Sequence, residues 1–248
     1  MPAAVTLPLP PSLDELAAAE PLALFLDFDG TLVDIADAPD AIVVPPQLVA
    51  GLNQLCARLA GRLALVTGRS LVDLEGHIGP VAIPRAGAHG ALREDAEGRA
   101  VGPEPLPLPK PARSKIVGFA RAQSLVYEEK GSAIAVHYRG RDEARDGLLA
   151  VAEAVMAEHG LKLTHGKCVV ELAVAGADKG YAVEAFMTAE PFIGAVPVFI
   201  GDDVTDEDGF AAAERAGGFG IAVGEREAHG ARYALDRPAA VHQWLGIA

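Results

Sequence analysis

Two aspartates stand two positions apart in Leu22–Leu32, LALFLDFDGTL. Strand side chains alternate faces, so Asp27 and Asp29 point the same way while Phe28 points into the core. Carboxylates that close repel unless a proton or a cation sits between them. Asp and Gly also suit an ordinary strand exit, but two acids ending a buried strand are costly without a job. A second acidic knot, Gly201–Asp208 (GDDVTDED), follows the apolar run Pro197–Ile200. Thr205 and Asp208 have capping-box spacing for a helix over 207–216, and capping extends to Asp206. It leaves Asp202 and Asp203 unexplained. Thr67-Gly68-Arg69-Ser70 combines a hydroxyl, a glycine and an arginine at a strand end. That suits a phosphate, or a plain strand–turn–helix junction capped by Ser70. Lys179 opens a helix against its dipole; it either compensates nearby negative charge or is solvated. His89, between glycines, contacts a substrate or simply turns the chain.

These residues need a scaffold that gathers them. Leu22–Leu26 is an apolar run of strand length, as in a parallel sheet covered on both faces. A helix is expected over 47–59, where Leu48, Leu52, Leu55 and Leu59 recur at helical spacing. A strand at 62–67, a helix at 71–78 and a strand at 81–86 continue the alternation. After residue 173 it resumes with helices at 181–189 and 207–216, strands at 197–200 and 220–223, and a closing helix carrying Trp244. The fold class expected is α/β, a doubly wound parallel-sheet core at 21–108 and 173–248. Residues 1–20 read as an extended lead-in, with Ser12 capping a short helix through Ala19.

Alternating prolines from Pro103 to Pro111 mark a break in composition. The module beyond it, 109–172, reads α-β-α-β-β: helix 115–127 capped by Ser114, strand 132–139, helix 142–159, and a hairpin around His165-Gly166. It should form a small sheet with helices on one face. Period 2 puts His137, Arg139, Lys167 and Glu171 on the other face, as a solvated surface or a site for a polyhydroxylated, anionic ligand.

Net charge is −13 and hydrophobic content 50%. An acidic chain is a poor partner for nucleic acid or an anionic membrane. Any anionic substrate must be met by a local metal or local cations. Two cysteines, Cys56 and Cys168, make no disulfide framework, which fits a reducing compartment, the cytoplasm. No apolar run reaches membrane-spanning length, and the N-terminal stretch has no secretory pattern. A monomer is the simpler expectation.

In open parallel sheets ligands bind at the carboxyl ends of strands, so Asp27, Asp29, Thr67, Lys179 and Asp202 can converge. Three carboxylates fit Mg²⁺; the metal, a lysine and a hydroxyl fit a phosphoryl group. DFDGT, VTGRS, the lysine of ADKG and GDDVTDED, in that order, resemble the four motifs of the haloacid-dehalogenase-like phosphatases, and the insertion resembles their type-2 cap. More narrowly, FLDFDGTL, GAHG, AVHYRG, GKCVVEL and GDDVTDED are similar to the trehalose-6-phosphate phosphatase family. One departure is that Glu171 is followed by Leu172-Ala173 where that family often has a basic residue and proline.

The resemblance implies hydrolysis of a sugar phosphate. Asp27 would be the nucleophile, Asp29 the acid and base, and Thr67 and Lys179 the phosphoryl-binding groups. Mg²⁺ would be held by Asp27, the Asp29 carbonyl and Asp202. Asp203 would support Lys179 or a metal-bound water from outside, with Asp206 in the same outer ring. Gly68, Arg69, His89, His137, Arg139, Lys167 and Glu171 would contact substrate, and hinges would lie near 100–110 and 172–177. Sucrose phosphate, mannosyl-glycerate phosphate and a phosphomutase reaction are the alternatives.

Overall fold

The structure is a computed structural model that describes residues 7–36, 41–166 and 168–247. Expectations for 1–6, for part of the loop at 37–40 and for Lys167 lie outside the described residues. The chain divides into two compact units. One comprises the residues through Pro103 and those from Asp178 on; the other is Glu104–Ala177.

In the larger unit, hydrogen bonds fasten the lead-in from Pro8 on. The Ala234 N–H donates to the Pro8 carbonyl at 3.0 Å, and the Trp244 indole to Pro11 at 2.8 Å. α1 (Leu13–Ala19) begins with the expected Ser12–Glu15 capping box. There follow β1 (Leu22–Leu26), α2 (Leu48–Arg58), β2 (Leu63–Val66), α3 (Leu71–Ile78), β3 (Arg85–Gly87) and β4 (Leu92–Glu94). The strand expected from residue 81 starts only at Arg85, because Pro84 has no N–H to give the ladder.

The Glu104–Ala177 unit holds α4 (Lys110–Ala122), β5 (Val126–Glu129), β6 (Ala133–His137), α5 (Arg145–His159), β7 (Lys162–Gly166) and β8 (Val169–Ala173). The chain then returns through α6 (Lys179–Met187), β9 (Val196–Gly201), α7 (Asp206–Arg215), β10 (Phe219–Val223), β11 (Ala231–Leu235) and α8 (Pro238–Leu245).

The seven-stranded sheet has the order β11-β10-β9-β1-β2-β3-β4. All its pairs are parallel except β3–β4. Winding runs outward from β1 in both directions, so the topological switch point lies between β1 and β9. β1 is buried along its whole length, as a strand covered on two faces must be. Leu22, Leu24 and Leu26 enter one core with Leu52 of α2 and Val241 of α8. Ala23 and Phe25 enter the other, with Phe186 of α6 and Phe210 of α7. Leu26 is in register with Ile200 of β9 and Leu65 of β2. The residues just past each of these strands therefore emerge along one edge.

The smaller unit is a four-stranded antiparallel sheet ordered β5-β6-β8-β7. Its pattern is α-β-β-α-β-β rather than α-β-α-β-β. The helix expected at 115–127 starts at Lys110 with Pro109 as its cap, not Ser114, and stops at Ala122. Ser124 turns the chain at φ +54°, and Val126–Glu129 becomes an edge strand. Ile134, Val136, Val170 and Leu172 share one buried face. α4 and α5 pack on each other and on the sheet.

Candidate active site

Asp27 is the first residue past β1, and its N–H donates to the Ile200 carbonyl at 2.9 Å. Its carboxylate is buried and meets Lys179 Nζ at 2.8 Å. Lys179 opens α6 behind Asp178, whose side chain accepts the Tyr181 N–H as the helix cap. The lysine is 2% exposed and reaches Asp206 Oδ1 at 2.6 Å. Burial alone would pull its pKa down; Asp206 and Asp27 outweigh that and hold the ammonium above its ordinary value. Compensation of negative charge, not solvation, is what this lysine does.

Of the two outer acids, Asp206 and not Asp203 holds Lys179. The Asp203 side chain is exposed, and its N–H donates to Asp206 Oδ2 at 2.8 Å. The Asp206 N–H returns a bond to the Asp203 carbonyl at 3.0 Å, so the turn folds Asp206 inward against Lys179. The expected capping box is absent as well. Thr205 has helical backbone angles and makes no side-chain cap bond.

Asp202 lies beside this pair. Thr31 Oγ1 donates to its Oδ1 at 3.3 Å. Gly30 has φ +76°, and a Cβ there would lie 2.2 Å from Asp202 Oδ2. Glycine is required because the turn and Asp202 both need that space. The Asp202 backbone is clamped from the loop after β10. Arg226 donates to the carbonyls of Asp202 and Asp203, both at 3.1 Å, and to Glu207 Oε1 at 2.7 Å. Arg226 was not singled out from the sequence, since no motif marks that loop, and Glu207 stood in the acidic motif without a role.

Carboxylate oxygens of Asp27, Asp202 and Asp206 lie within 4.8 Å of one another. Burial pushes all three carboxyls up, Asp27 well above the carboxylate range and Asp202 to about 6, and the Asp206 charge raises Asp27 and Asp202 further. One ammonium against three gathered acids leaves a negative excess that a divalent cation would neutralise. The site therefore fits a metal ion. Asp206 already accepts from Lys179 and from the Asp203 N–H, so Asp27 and Asp202 are the side chains best able to hold it.

Thr67 is fully buried, and its Oγ1 accepts the Arg69 N–H at 3.1 Å. A Cβ on Gly68 would lie 2.6 Å from the His89 ring, so that ring packs over the TGR turn. His89 itself turns the chain with φ +57°. The Asp29 carboxylate pairs with Arg69, not with the lysine that meets Asp27. Both its oxygens accept from Arg69, Nε–Oδ2 and Nη2–Oδ1, each at 2.7 Å. The hydrogen bonds that Arg69 donates to Asp29 dominate over burial and raise the Arg69 pKa.

In the smaller unit, His137 and Glu171 do share a face, as the registers Ala135↔Glu171 and His137↔Val169 require. Arg139 does not join them. β6 ends at His137, and Arg139 sits exposed in a turn closed by the Arg141 N–H to the Tyr138 carbonyl at 2.8 Å. Lys167 lies outside the described residues. The face instead gains Glu128 and Lys130, hidden while that segment was expected to be partly helical. Lys130 Nζ meets Glu171 at 2.7 Å and His137 meets Glu128 at 3.1 Å.

A doubly wound sheet carrying DFDGT and a second aspartate strand at its switch point, a buried lysine between them and an inserted smaller unit is the arrangement expected of the phosphatase class whose motifs the sequence resembles. Within that class, the chain belongs to the trehalose-phosphatase family, which matches residues 25–239. Trehalose-6-phosphate phosphatase of Escherichia coli (strain K12) is 40% identical over 208 residues, 82% of this chain and 77% of its own. A probable trehalose-phosphate phosphatase of Sinorhizobium fredii is 42% identical over 205 residues, with the same coverage of 82% and 77%. The C-terminal domain of C. albicans trehalose-6-phosphate phosphatase shares the fold, with TM-score 0.79, 21% identity and coverage of 97% and 98%.

Proposed function

We propose that this chain hydrolyses trehalose 6-phosphate to trehalose and inorganic phosphate through an aspartyl-phosphate on Asp27. The observation that carries the reading is the buried Asp27–Lys179–Asp206 arrangement beside Asp202 at the switch point. Membership of the trehalose-phosphatase family supports trehalose 6-phosphate over sucrose phosphate, mannosyl-glycerate phosphate or a mutase reaction.

Asp27 attacks phosphorus with one carboxylate oxygen while Lys179 steadies the other. This divides one difficult displacement into two easier ones. Asp29 gives a proton to the departing sugar oxygen and then takes one from the water that cleaves the aspartyl-phosphate. The Thr67 hydroxyl and the Lys179 ammonium bind phosphoryl oxygens, preorganised by burial so that little reorientation is needed. Asp27, Asp202 and the Asp29 carbonyl would hold Mg²⁺, which when bound neutralises charge on the carboxylate and the phosphoryl group. Glu171, with Lys130, His137 and Glu128, supplies donors and acceptors for sugar hydroxyls.

The test is phosphate release from a panel containing trehalose 6-phosphate, sucrose 6-phosphate, mannosyl-glycerate phosphate and glucose 6-phosphate. Trehalose 6-phosphate should be the preferred substrate, and Asp27→Asn should release nothing while melting normally. Preference for another sugar phosphate would overturn the substrate assignment. Turnover by Asp27→Asn would overturn the nucleophile.

A further inference from the structure

We propose that Arg69 is a positioning residue for Asp29 and not a ligand of the phosphoryl group. This inference rests on the reading of Asp29 as the acid and base. The Arg69 guanidinium presents its Nε–Nη2 edge to Asp29 in two parallel bonds of 2.7 Å. A paired contact of that kind fixes the plane of the carboxylate as well as its distance. The remaining nitrogen, Nη1, donates to Asp73 Oδ2 at 2.7 Å.

Asp73 ties Arg69 to a helix start. It lies in the first turn of α3, and its N–H is capped by Ser70 Oγ at 3.1 Å. The Arg69 side chain is 9% exposed and the Asp29 side chain 35%. The arginine, its side chain largely covered, thus joins the start of α3 to an acid in the turn after β1. Asp27 is held by a different cation, Lys179. The two carboxylates are therefore oriented independently, one for attack and one for proton transfer.

Chemical consequence separates this role from phosphate binding. A sugar alcohol leaves poorly without a proton, whereas p-nitrophenolate leaves as a stable anion. Misaiming Asp29 should slow transfer to Asp27 only for the sugar. For both substrates it should slow hydrolysis of the aspartyl-phosphate, where Asp29 acts as base.

The experiment is rapid mixing of Arg69→Gln, Arg69→Lys and Asp73→Asn enzymes, with Mg²⁺ present, with trehalose 6-phosphate or p-nitrophenyl phosphate. Asp29→Asn and the Asp29→Asn/Arg69→Gln double variant run in parallel. For Arg69→Gln, single-turnover trehalose release should fall about 10²-fold, the scale on which loss of alignment acts. The p-nitrophenolate burst should stay within about threefold, followed by slow turnover as phosphoenzyme accumulates. Lysine should not rescue, because an ammonium cannot make the parallel pair. Asp73→Asn should move trehalose release in the same direction by a smaller factor. Arg69→Lys keeps a cation at that position, so it decides the question if Arg69→Gln fails to fold. The double variant should release trehalose no more slowly than Asp29→Asn alone.

An equal loss of burst and trehalose release in Arg69→Gln, with weaker inhibition by inorganic phosphate, would assign Arg69 to the phosphoryl group and overturn the inference. So would an unchanged trehalose rate in a folded Arg69→Gln or in Arg69→Lys. If Asp29→Asn shows no difference between the two leaving groups, the acid reading itself fails. If Asp29→Asn shows it and Arg69→Gln does not, only the role of Arg69 fails.

Discussion

Lys179→Met removes the one charge that separates Asp27 from Asp206 while nearly conserving shape. The side chains are 3%, 5% and 0% exposed, so water cannot take the place of the ammonium. Breaking a buried ion pair by deleting one partner costs about 3–5 kcal/mol. For a chain of this size each kcal/mol moves Tm by about 2–4 °C, so the metal-free variant should melt roughly 10 °C below the parent at pH 7.5. The deficit should depend on pH. Without the ammonium, burial and mutual repulsion raise both carboxyls further. A carboxyl raised on folding contributes stability that is present at low pH and lost as pH rises through its folded pKa. At pH 5 protons can stand where the ammonium stood, and each bound proton recovers about 1.4 kcal/mol per pH unit. The deficit at pH 5 should therefore be smaller by several degrees. Melting curves in EDTA at both pH values decide the matter. A deficit under about 3 °C, or one identical at the two pH values, would refute the electrostatic argument.

Asp202, raised to about 6, gives the metal-free protein stability that is lost as pH climbs through that value. Mg²⁺ competes with that proton, so the Tm gain on adding Mg²⁺ should grow between pH 5 and 7.5; a gain independent of pH would count against Asp202 as a ligand. Arg226→Ala frees the Asp202 and Asp203 carbonyls and should weaken Mg²⁺ binding about 10–100-fold by calorimetric titration; unchanged affinity would remove its clamping role. Gly30→Ala forces an unfavourable φ, costing about 1–2 kcal/mol, and drives a methyl into Asp202. It should lower both Tm and phosphate release, and a variant matching the parent in both would contradict the close approach. Glu171→Ala should raise KM for trehalose 6-phosphate far more than for p-nitrophenyl phosphate, and equal effects would exclude it from sugar recognition.

The strands and helices that carry the motifs were legible because their signals are local. Leu22–Leu26 is apolar throughout, Ser12–Glu15 closes a capping box within one turn, and Ser70 caps Leu71–Ile78 as its position suggests. β5 was not legible. Val126–Glu129 is an exposed edge strand with no apolar alternation, and Ser124 rather than a glycine makes the turn before it. Types and order of side chains were enough to announce an acidic, phosphate-directed site, because few other roles justify buried acids beside a lysine at strand ends. Which acid faces which cation was decided only by the tertiary structure. Among Asp202, Asp203, Asp206 and Asp208 nothing local distinguishes the one that grips Lys179; the turn joining Asp203 to Asp206 makes that choice. Arg69 likewise suited a phosphate as well as a carboxylate until the sheet brought Asp29 within 2.7 Å of it. Charge and hydrogen-bonding capacity belong to the residue, but a partner across forty positions belongs to the fold.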